Sequence, residues 1–305
     1  MTVDLVAATA FLTTHGRVLD RRRLALLLGA AGPDDVLGAV EAYRNGDGGY
    51  GWGLEADLRS PESQPAAALH ALEAFADAAE ARVAGVPDRP ATTARAVQLC
   101  DWLASVSLPD GGLPFALPLT AADGCSPWWA NADPTASSLQ ITAAVAAQAH
   151  RLSRHDDAVA AHPWLALATT FCLSRIAALG ERPHAYALSF SMQLVDAAAA
   201  SDPAAAALAA TLAGHLPASG SLHVEGGAPE ELLHPLDFSP RPGRASREVI
   251  SPEVVAGDLQ RLARLQQDDG GWPIEFVPAS PAAVLEWRAY ATVAAVATLR
   301  AHGLC

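Results

Sequence analysis

The chain has 305 residues, of which 51% are apolar and 17% are charged, and its formal net charge is −13. This composition can bury a large core and excludes global disorder, and the strong negative charge excludes a basic nucleic-acid-binding surface. All 20 of the Lys+Arg residues are arginine, so Schiff-base and P-loop lysine chemistry are excluded as well.

The cysteines and the start of the chain predict the compartment. The four cysteines are widely spaced and form no Cys-x-x-Cys pair, which is typical of reduced thiols in a cytoplasmic protein. The first residues carry no positive charge, so we expect no signal peptide. No apolar run reaches ~18 residues, so we expect no transmembrane helix, and any contact with a membrane would be peripheral.

An all-α fold is predicted by the dominance of alanine and leucine and by apolar residues at helical spacing. Two helix starts are marked by a capping side chain before a proline, namely Asp133 before Pro134 and Ser251 before Pro252. About twelve helices are expected. Those with approximate bounds cover residues 3–14, 17–29, 34–44, 64–84, 92–106, 134–154, 162–179, 183–200, 203–215, 252–266 and 283–301.

Glycine pairs interrupt this helical sequence at Gly48-Gly49, Gly111-Gly112 and Gly270-Gly271. The first two pairs are 63 residues apart and the last two are 159 residues apart, which are rough multiples of one helix pair. Such a period is typical of stacked helical units that share one core. We therefore expect a single α/α toroid, an α6-α6 barrel-like domain over residues 1–305, with an open helical solenoid as the alternative.

The third glycine pair carries a resemblance to a known family. Leu265–Trp272, with the sequence Leu-Gln-Gln-Asp-Asp-Gly-Gly-Trp, resembles the QW repeat of squalene–hopene cyclases and related class II terpene cyclases. Trp287–Thr292 resembles the helix that follows this repeat, and Leu108–Phe115 and the loop around Gly48 resemble weaker copies. The resemblance implies the terpene-cyclase/prenyltransferase α/α-toroid superfamily, in which some members are noncatalytic.

The acid motif of class II cyclases, Asp-x-Asp-Asp followed by Thr-Ala, is matched in part by Asn131–Ala136. The resemblance implies that Asp133 protonates the substrate and that Asn131 is its hydrogen-bond partner. Asn131 and Pro134 replace two aspartates of the motif, which changes the tuning of the acid. A helix N-cap is the competing interpretation of Asp133.

Two further carboxylates, Glu55 and Asp57, lie beside Trp52 in a loop. One of them could replace the eroded acid or raise the pKa of a neighbouring acid by like charge. A solvated loop, or an ion pair with Arg59, is the alternative interpretation. Three arginines at 241, 244 and 247 suit a diphosphate, or else offset the negative charge of the chain.

Aromatic residues are expected to line a central cavity, where their ring faces would stabilise a carbocation, although buried core positions explain large aromatics equally well. The candidate wall residues are Trp52, Trp128, Trp129, Tyr186, Phe238, Trp272, Trp287 and Tyr290.

The function implied by the resemblance is that of a class II terpene cyclase-like isomerase. It would start the cyclisation of a linear isoprenoid by protonation. The metal-binding Asp-Asp-x-x-Asp of class I enzymes does not occur in the sequence, so we expect no metal and no cofactor. The alternatives are a noncatalytic toroid that binds an apolar ligand or a partner protein, and a lyase for acidic polysaccharides, which the net charge disfavours.

Overall fold

The computed structural model describes residues 3–82 and 90–305, with side chains described from residue 94 in the second range. These residues are mostly helical and contain fifteen α-helices, one 3-10 helix and one two-stranded hairpin. In chain order the elements are α1 Leu5–His15, α2 Val18–Leu27, α3 Pro33–Val40, the 3-10 helix Glu41–Tyr43, α4 Pro65–Arg82, α5 Pro90–Val106, α6 Pro127–Ala130, α7 Leu139–Ser153, α8 Asp157–Ala160, α9 Pro163–Ala177, α10 Ala185–Ala198, α11 Pro203–Ala213, β1 Leu222–His223, β2 Leu232–Leu233, α12 Pro235–Phe238, α13 Ala245–Glu248, α14 Pro252–Arg264 and α15 Pro281–Ala301.

The prediction of an all-α fold is confirmed. Four of the helices have four residues each, and the other eleven overlap the predicted ranges, although α7 begins later than predicted. The predicted continuation of the fourth helix to residue 84 lies outside the described residues. The hairpin is an addition that the sequence did not predict, and it pairs Leu222 with Leu233 in antiparallel register.

Two compact units make up the chain. The central unit comprises Ala31–Leu179, and the split unit comprises Met1–Ala30 together with Gly180–Cys305. In the central unit α4 packs against α3 and α7, and α7 packs against α9. In the split unit α15 packs against α1, α2 and α14, and α10 packs against α11, α12 and α13. The expectation of one domain over residues 1–305 stays a prediction.

One predicted helix start is confirmed and the other is wrong. Ser251 caps α14, because its hydroxyl accepts a hydrogen bond from the Val254 N–H, and Pro252 is the first helical residue. Asp133 does not cap a helix. The helix that was expected to follow Asp133 is α7, and it begins at Leu139, six residues after Asp133. Its N-cap is Ser138, whose hydroxyl accepts a hydrogen bond from the Ile141 N–H.

The local sequence explains this displacement. The Asp133 carboxylate accepts hydrogen bonds from the N–H and the hydroxyl of Thr135, at 2.8 and 2.6 Å, and so closes a tight turn. Ser138 then presents its own backbone N–H to the Leu113 carbonyl at 2.8 Å, which fixes the entry into α7. The turn at Asp133 therefore competes with the helix that Pro134 would otherwise begin.

The three glycine pairs form the same turn. At the first, the Gly48 N–H donates to the Asn45 carbonyl at 3.2 Å, and the Asn45 N–H donates to the Gly49 carbonyl at 2.9 Å. The Asp47 carboxylate accepts the Gly49 N–H at 2.9 Å. The same three bonds recur at Leu108–Gly112 and at Gln267–Gly271, with Asp110 and Asp269 as the acceptors.

Each turn also packs on a helix in the same way. The first glycine has a positive φ, at 92°, 88° and 89°, and lies against a helical residue. The second glycine lies against an aromatic ring four residues further along that helix. The pairs of contacts are Gln98 with Trp102 on α5, Leu167 with Phe171 on α9, and Ala7 with Phe11 on α1. The turns are therefore copies of one structural unit.

A partial fourth copy, which sequence reasoning missed, occurs at Pro217–Leu222, where Pro217 has no N–H to make the third bond. The Gly220 N–H donates to the Pro217 carbonyl at 2.8 Å, and the Ser221 N–H donates to the Ser219 hydroxyl at 3.3 Å. Gly220 has a φ of +72° and lies against Val254 on α14. Serine replaces both the aspartate and the second glycine in this copy, so the Asp-Gly-Gly pattern that identifies the others is lost.

Replacing Gly270 by alanine tests how much the fold depends on these turns. A Cβ atom there would lie 2.2 Å from the Ala7 carbonyl oxygen, and the backbone has a φ of +89°. We expect Gly270→Ala to lower the free energy of unfolding by about 2–4 kcal/mol, from left-handed strain plus overlap. Gly257→Ala is the matched control, since a Cβ at this position in α14 meets nothing within 4 Å. It should be neutral or stabilising by up to ~1 kcal/mol, and equal urea midpoints for the two variants would contradict the prediction.

Candidate functional site

Helix α10 of the split unit presents aromatic rings on a narrow accessible strip. Ten of its fourteen residues are buried. The remaining four, Tyr186, Ala187, Phe190 and Gln193, lie close together around the helix axis. The rings of Tyr186 and Phe190 stack with their centroids 6.1 Å apart. We call these two residues the α10 aromatic pair. Because the rest of the helix is packed, the pair supplies the aromatic part of the surface that α10 leaves accessible.

A second aromatic group lies at the start of α15 in the same unit. Trp287 makes edge-on contacts with Phe276 and Tyr290, with ring centroids 5.3 and 5.5 Å apart. The Arg23 guanidinium lies over the Tyr290 ring, 5.6 Å from its centroid. Phe276, Trp287 and Tyr290 are all partly exposed, and we call them the α15 aromatic cluster.

Polar contacts connect the segment 231–234 to both groups. The Tyr186 hydroxyl donates to the buried Glu231 carboxylate at 2.9 Å. His234 Nε2 lies 3.2 Å from a carboxylate oxygen of Glu275, the residue before Phe276. The hydrogen bond with His234 lowers the pKa of Glu275, and the positive charges of His234 and Arg261 add to this effect. The segment 231–234 therefore contacts Tyr186 of the α10 aromatic pair directly, and it contacts Glu275, the residue next to Phe276 of the α15 aromatic cluster.

The residues that were predicted to line a central cavity thus belong to several different groups. Tyr186, Trp287 and Tyr290 belong to the two aromatic groups, and Phe190 and Phe276 join them without having been predicted. Phe238 and Trp272 are 0% and 1% exposed, so neither ring has surface open to a ligand in this structure. The Trp272 indole N–H donates to the Leu262 carbonyl at 2.8 Å, and its ring belongs to the core around Phe11.

The other predicted tryptophans lie in the central unit. Trp52 and Trp128 are 60% and 49% exposed. Trp52 has a φ of +57°, and its indole N–H donates to the Asn45 side chain at 2.7 Å. Trp129 is nearly buried and stacks on Phe115 with ring centroids 4.3 Å apart. Their proposed role in binding a ligand stays a prediction.

The candidate acid Asp133 lies at the surface, as does Asn131. The hydrogen bond from the Thr135 hydroxyl lowers the pKa of Asp133, and the bond from the Thr135 N–H lowers it further. The carboxyl is therefore ionised at neutral pH. Its hydrogen bonds go to Thr135 rather than to Asn131, so the structure does not pair the two residues as expected. A proton donor at this position would first have to lose water and the Thr135 contacts.

Glu55 and Asp57, by contrast, are buried, at 4% and 2% exposure. Glu55 Oε2 lies 3.1 Å from Nε2 of the buried His70, and Glu73 lies 3.6 Å from the other ring nitrogen. Burial alone would lower the pKa of His70, but the hydrogen bonds and charges of Glu55 and Glu73 raise it to about 9. His70 is therefore a buried cation between two carboxylates, a partner of Glu55 that the sequence alone did not reveal.

Two loops of the central unit are joined beside this cluster. The Ser126 N–H donates to the Asp57 carbonyl at 2.8 Å, and Leu58 and Cys125 form an isolated antiparallel bridge.

Two surface grooves lie elsewhere and contain none of the predicted site residues. One of about 560 Å³ lies along α1, and one of about 430 Å³ lies between α5, the Gly111 turn and α9.

Comparison with known proteins adds no family. No model of a known protein family matches the chain, and no curated protein matches its sequence significantly. Across residues 3–82 and 90–305, no group of three or more histidine, cysteine, aspartate or glutamate side chains is arranged to hold a metal ion. Within the same part of the chain, none of the helices combines the length and the apolar character needed to cross a bilayer.

The pH dependence of stability tests the His70 cluster. Because the folded pKa of His70 is raised from 6.5 to about 9, its cation stabilises the fold fully below pH 6.5, by roughly 3 kcal/mol. This contribution is lost as the pH rises through about 9. Urea unfolding should therefore show the largest difference between wild type and His70→Gln below pH 6.5, shrinking towards pH 9. His155→Gln, at an exposed position of the same unit, is the control. A His70→Gln deficit that is equal at both ends of this range would contradict the assignment.

Proposed function

We propose that the chain is an α/α toroid of the terpene-cyclase/prenyltransferase type that binds an apolar, isoprenoid-like ligand on the aromatic residues of α10 and α15. The observation that carries this proposal is the accessible strip of α10. A helix whose other sides are mostly buried leaves two stacked rings, Tyr186 and Phe190, partly accessible. Partly accessible aromatic rings on an otherwise packed helix are the kind of apolar surface that lines a ligand site.

The packing order of the glycine turns supports a closed ring of helices. The first turn precedes α4 and packs on the next long helix, α5, and the second precedes α7 and packs on α9. The turn before α15 has no long helix after α15 to receive it, and it packs on α1 instead. This contact joins the two ends of the chain, and it supports the toroid that we propose.

The chemistry of the two aromatic groups suits an isoprenoid. Flat ring faces contact a methyl-branched chain without polar groups to satisfy, and burying about 100 Å² of apolar surface contributes roughly 2.5 kcal/mol. Ring faces also stabilise a nearby cation by about 0.5–2 kcal/mol, as the Arg23 contact with Tyr290 illustrates. The same rings could therefore serve either a binding protein or a cyclase.

Cyclisation by protonation is the second candidate function, and the sequence Asn131–Ala136 favours it. An exposed carboxyl whose pKa is lowered is a poor acid for an alkene. Cyclase activity through Asp133 therefore requires that bound substrate removes this carboxyl from water. A linear isoprenoid incubated with wild type and with Asp133→Asn should give a cyclic product with wild type alone. Equal product from both proteins would exclude Asp133 as the acid.

Binding of geranylgeraniol tests the proposed site. Titration followed by tryptophan fluorescence should give saturable binding to wild type. We expect Phe190→Ala and Trp287→Ala each to weaken binding by about tenfold or more, since each removes one buried aromatic contact of roughly 1.5–3 kcal/mol. For Trp287→Ala, which loses a fluorophore, calorimetry replaces fluorescence.

Leu285→Ala is the matched control on α15. Leu285 is 37% exposed and lies on the opposite side of the helix from Trp287 and Tyr290, so its removal should leave the affinity unchanged. Thermal melts of all variants establish that they fold. Absence of saturable binding to wild type, or equal affinity of the aromatic variants and wild type, would overturn the proposed function.

A further inference from the structure

The two-stranded hairpin of the split unit places a serine opposite a histidine. Leu222 pairs with Leu233 in antiparallel register, so the residues just outside this pair, Ser221 and His234, are cross-strand neighbours. Side chains at such positions are close enough to interact directly. The Ser221 hydroxyl oxygen lies 3.3 Å from His234 Nδ1, which is hydrogen-bonding distance. Ser221 is partly exposed, so this hydroxyl is on the accessible surface of the hairpin.

Close packing of the preceding turn fixes the position of this serine. Gly220, the residue before Ser221, has a φ of +72°. A Cβ atom at Gly220 would lie 2.8 Å from Pro235 and 2.9 Å from Val254 of α14. The turn therefore lies directly against the residue that follows His234. Strand pairing and turn packing together set the position of the hydroxyl relative to the ring.

A carboxylate holds the other side of the His234 ring. His234 Nε2 lies 3.2 Å from Glu275, and Arg261 Nη1 donates to the same carboxylate at 3.4 Å. The hydrogen bond with His234 is the largest cause that lowers the pKa of Glu275, so this carboxylate is ionised and accepts hydrogen bonds only. Nε2 therefore carries the proton in the neutral ring, and Nδ1 accepts the hydroxyl of Ser221.

A hydroxyl, a base within hydrogen-bonding reach and an acid that orients the base are the parts of a nucleophilic site. We infer that Ser221, His234 and Glu275 form such a site and hydrolyse neutral esters. In the Ser-His-Asp triad of serine proteases Nε2 faces the serine and Nδ1 faces the acid, and here the two nitrogens exchange places. Either nitrogen accepts a proton when a carboxylate holds the other as N–H. This activity goes beyond the proposed function and does not require it.

Hydrolysis at this site takes two steps. In the first, the Ser221 oxygen forms a bond to the acyl carbon while His234 Nδ1 takes the hydroxyl proton. The bond between the acyl carbon and the alcohol oxygen breaks, and the alcohol leaves with that proton. In the second, water gives a proton to His234 and attacks the acyl-serine. The acid is released as Ser221 recovers its proton, so one ester and one water become one acid and one alcohol.

The surroundings of the three residues indicate an uncharged ester with an apolar group. Leu232 lies two residues before His234, on the same face of the hairpin, and is 37% exposed. Phe276 of the α15 aromatic cluster follows Glu275 directly. Both side chains offer apolar contact beside the site. The hairpin loop 224–231 carries three glutamates, which repel an anionic substrate and the acid that is formed.

Hydrolysis of p-nitrophenyl butyrate and labelling with diisopropyl fluorophosphate test the inference. Wild type should hydrolyse the ester, and the reagent should modify the Ser221 oxygen with loss of fluoride and a proton, as mass spectrometry of peptides would show. Ser221→Ala and His234→Gln should each lower kcat/KM by about 100-fold or more and prevent this labelling. Ser201→Ala is the matched control, because this exposed hydroxyl of the same unit donates to the Ala198 carbonyl. It should keep the wild-type activity and label.

Glu275→Gln tests the positioning residue. Glutamine still accepts the His234 hydrogen bond but brings no charge to stabilise the protonated ring. We therefore expect kcat to fall about tenfold or more while KM changes by less than about twofold. A change in KM alone would contradict this role, and thermal melts establish that each variant folds.

Three results would overturn the esterase site. They are an unlabelled and inactive wild type, a label on a residue other than Ser221, and equal activity of Ser221→Ala and wild type. Geranylgeraniol binding is measured separately on the aromatic variants, so loss of the esterase site would leave the proposed function standing.

Discussion

The close approach of a glycine backbone to a neighbouring helix is the constraint on which the rest of this structure depends. At the Gly270 turn the distance from a Cβ position to a carbonyl oxygen is 2.2 Å, so a side chain cannot be accommodated without moving α1. The aspartate of each of the three Asp-Gly-Gly turns adds a second constraint, because its carboxylate is hydrogen-bonded to a side chain near or in the following helix. Asp47 and Asp110 accept hydrogen bonds from Ser63 and Ser137, each of which lies two residues before the start of the following helix. Asp269 accepts one from Arg288, in the first half of α15. Each turn thereby joins three helices at one point.

The sequence was sufficient to predict the helices and three of the four turns, because these depend on local chemistry that glycine, proline and apolar spacing express directly. It was not sufficient where side chains distant in sequence decide the outcome. Glu55 and His70 meet across a loop, and no pattern in either segment specifies that pairing. Phe190 was missed because an aromatic residue in a helix gives the same signal whether it faces the core or a ligand. Asp133 was misplaced because a short turn and a helix cap use the same residue type.

The two units offer different chemistry on their partly accessible helix faces. In the central unit Glu73, Asp77 and Glu80 follow one another along α4, and Arg151 of α7 bonds to the last two at 2.9 and 3.0 Å. The buried His70 and the partly buried Arg151 thus balance the carboxylates of α4. In the split unit the accessible strip of α10, residues 186, 187, 190 and 193, carries aromatic and neutral side chains and no carboxylate. This difference is the reason that our proposal places an uncharged ligand chain on the split unit rather than on the acidic face of α4.

The division of the split unit between the two ends of the chain affects how the protein folds during synthesis. The Asp4 N–H and carbonyl bond to the Gln266 side chain at 2.9 and 2.8 Å, and α1 is covered by the Gly270 turn. At ribosomal rates of about 5–20 residues per second, the first helix waits roughly 15–55 s for these partners to be made. The central unit has all of its own residues long before then. The side of α1 that contacts α15 and the Gly270 turn therefore stays without these partners until the end of synthesis, although α2, with which α1 also packs, is made at once.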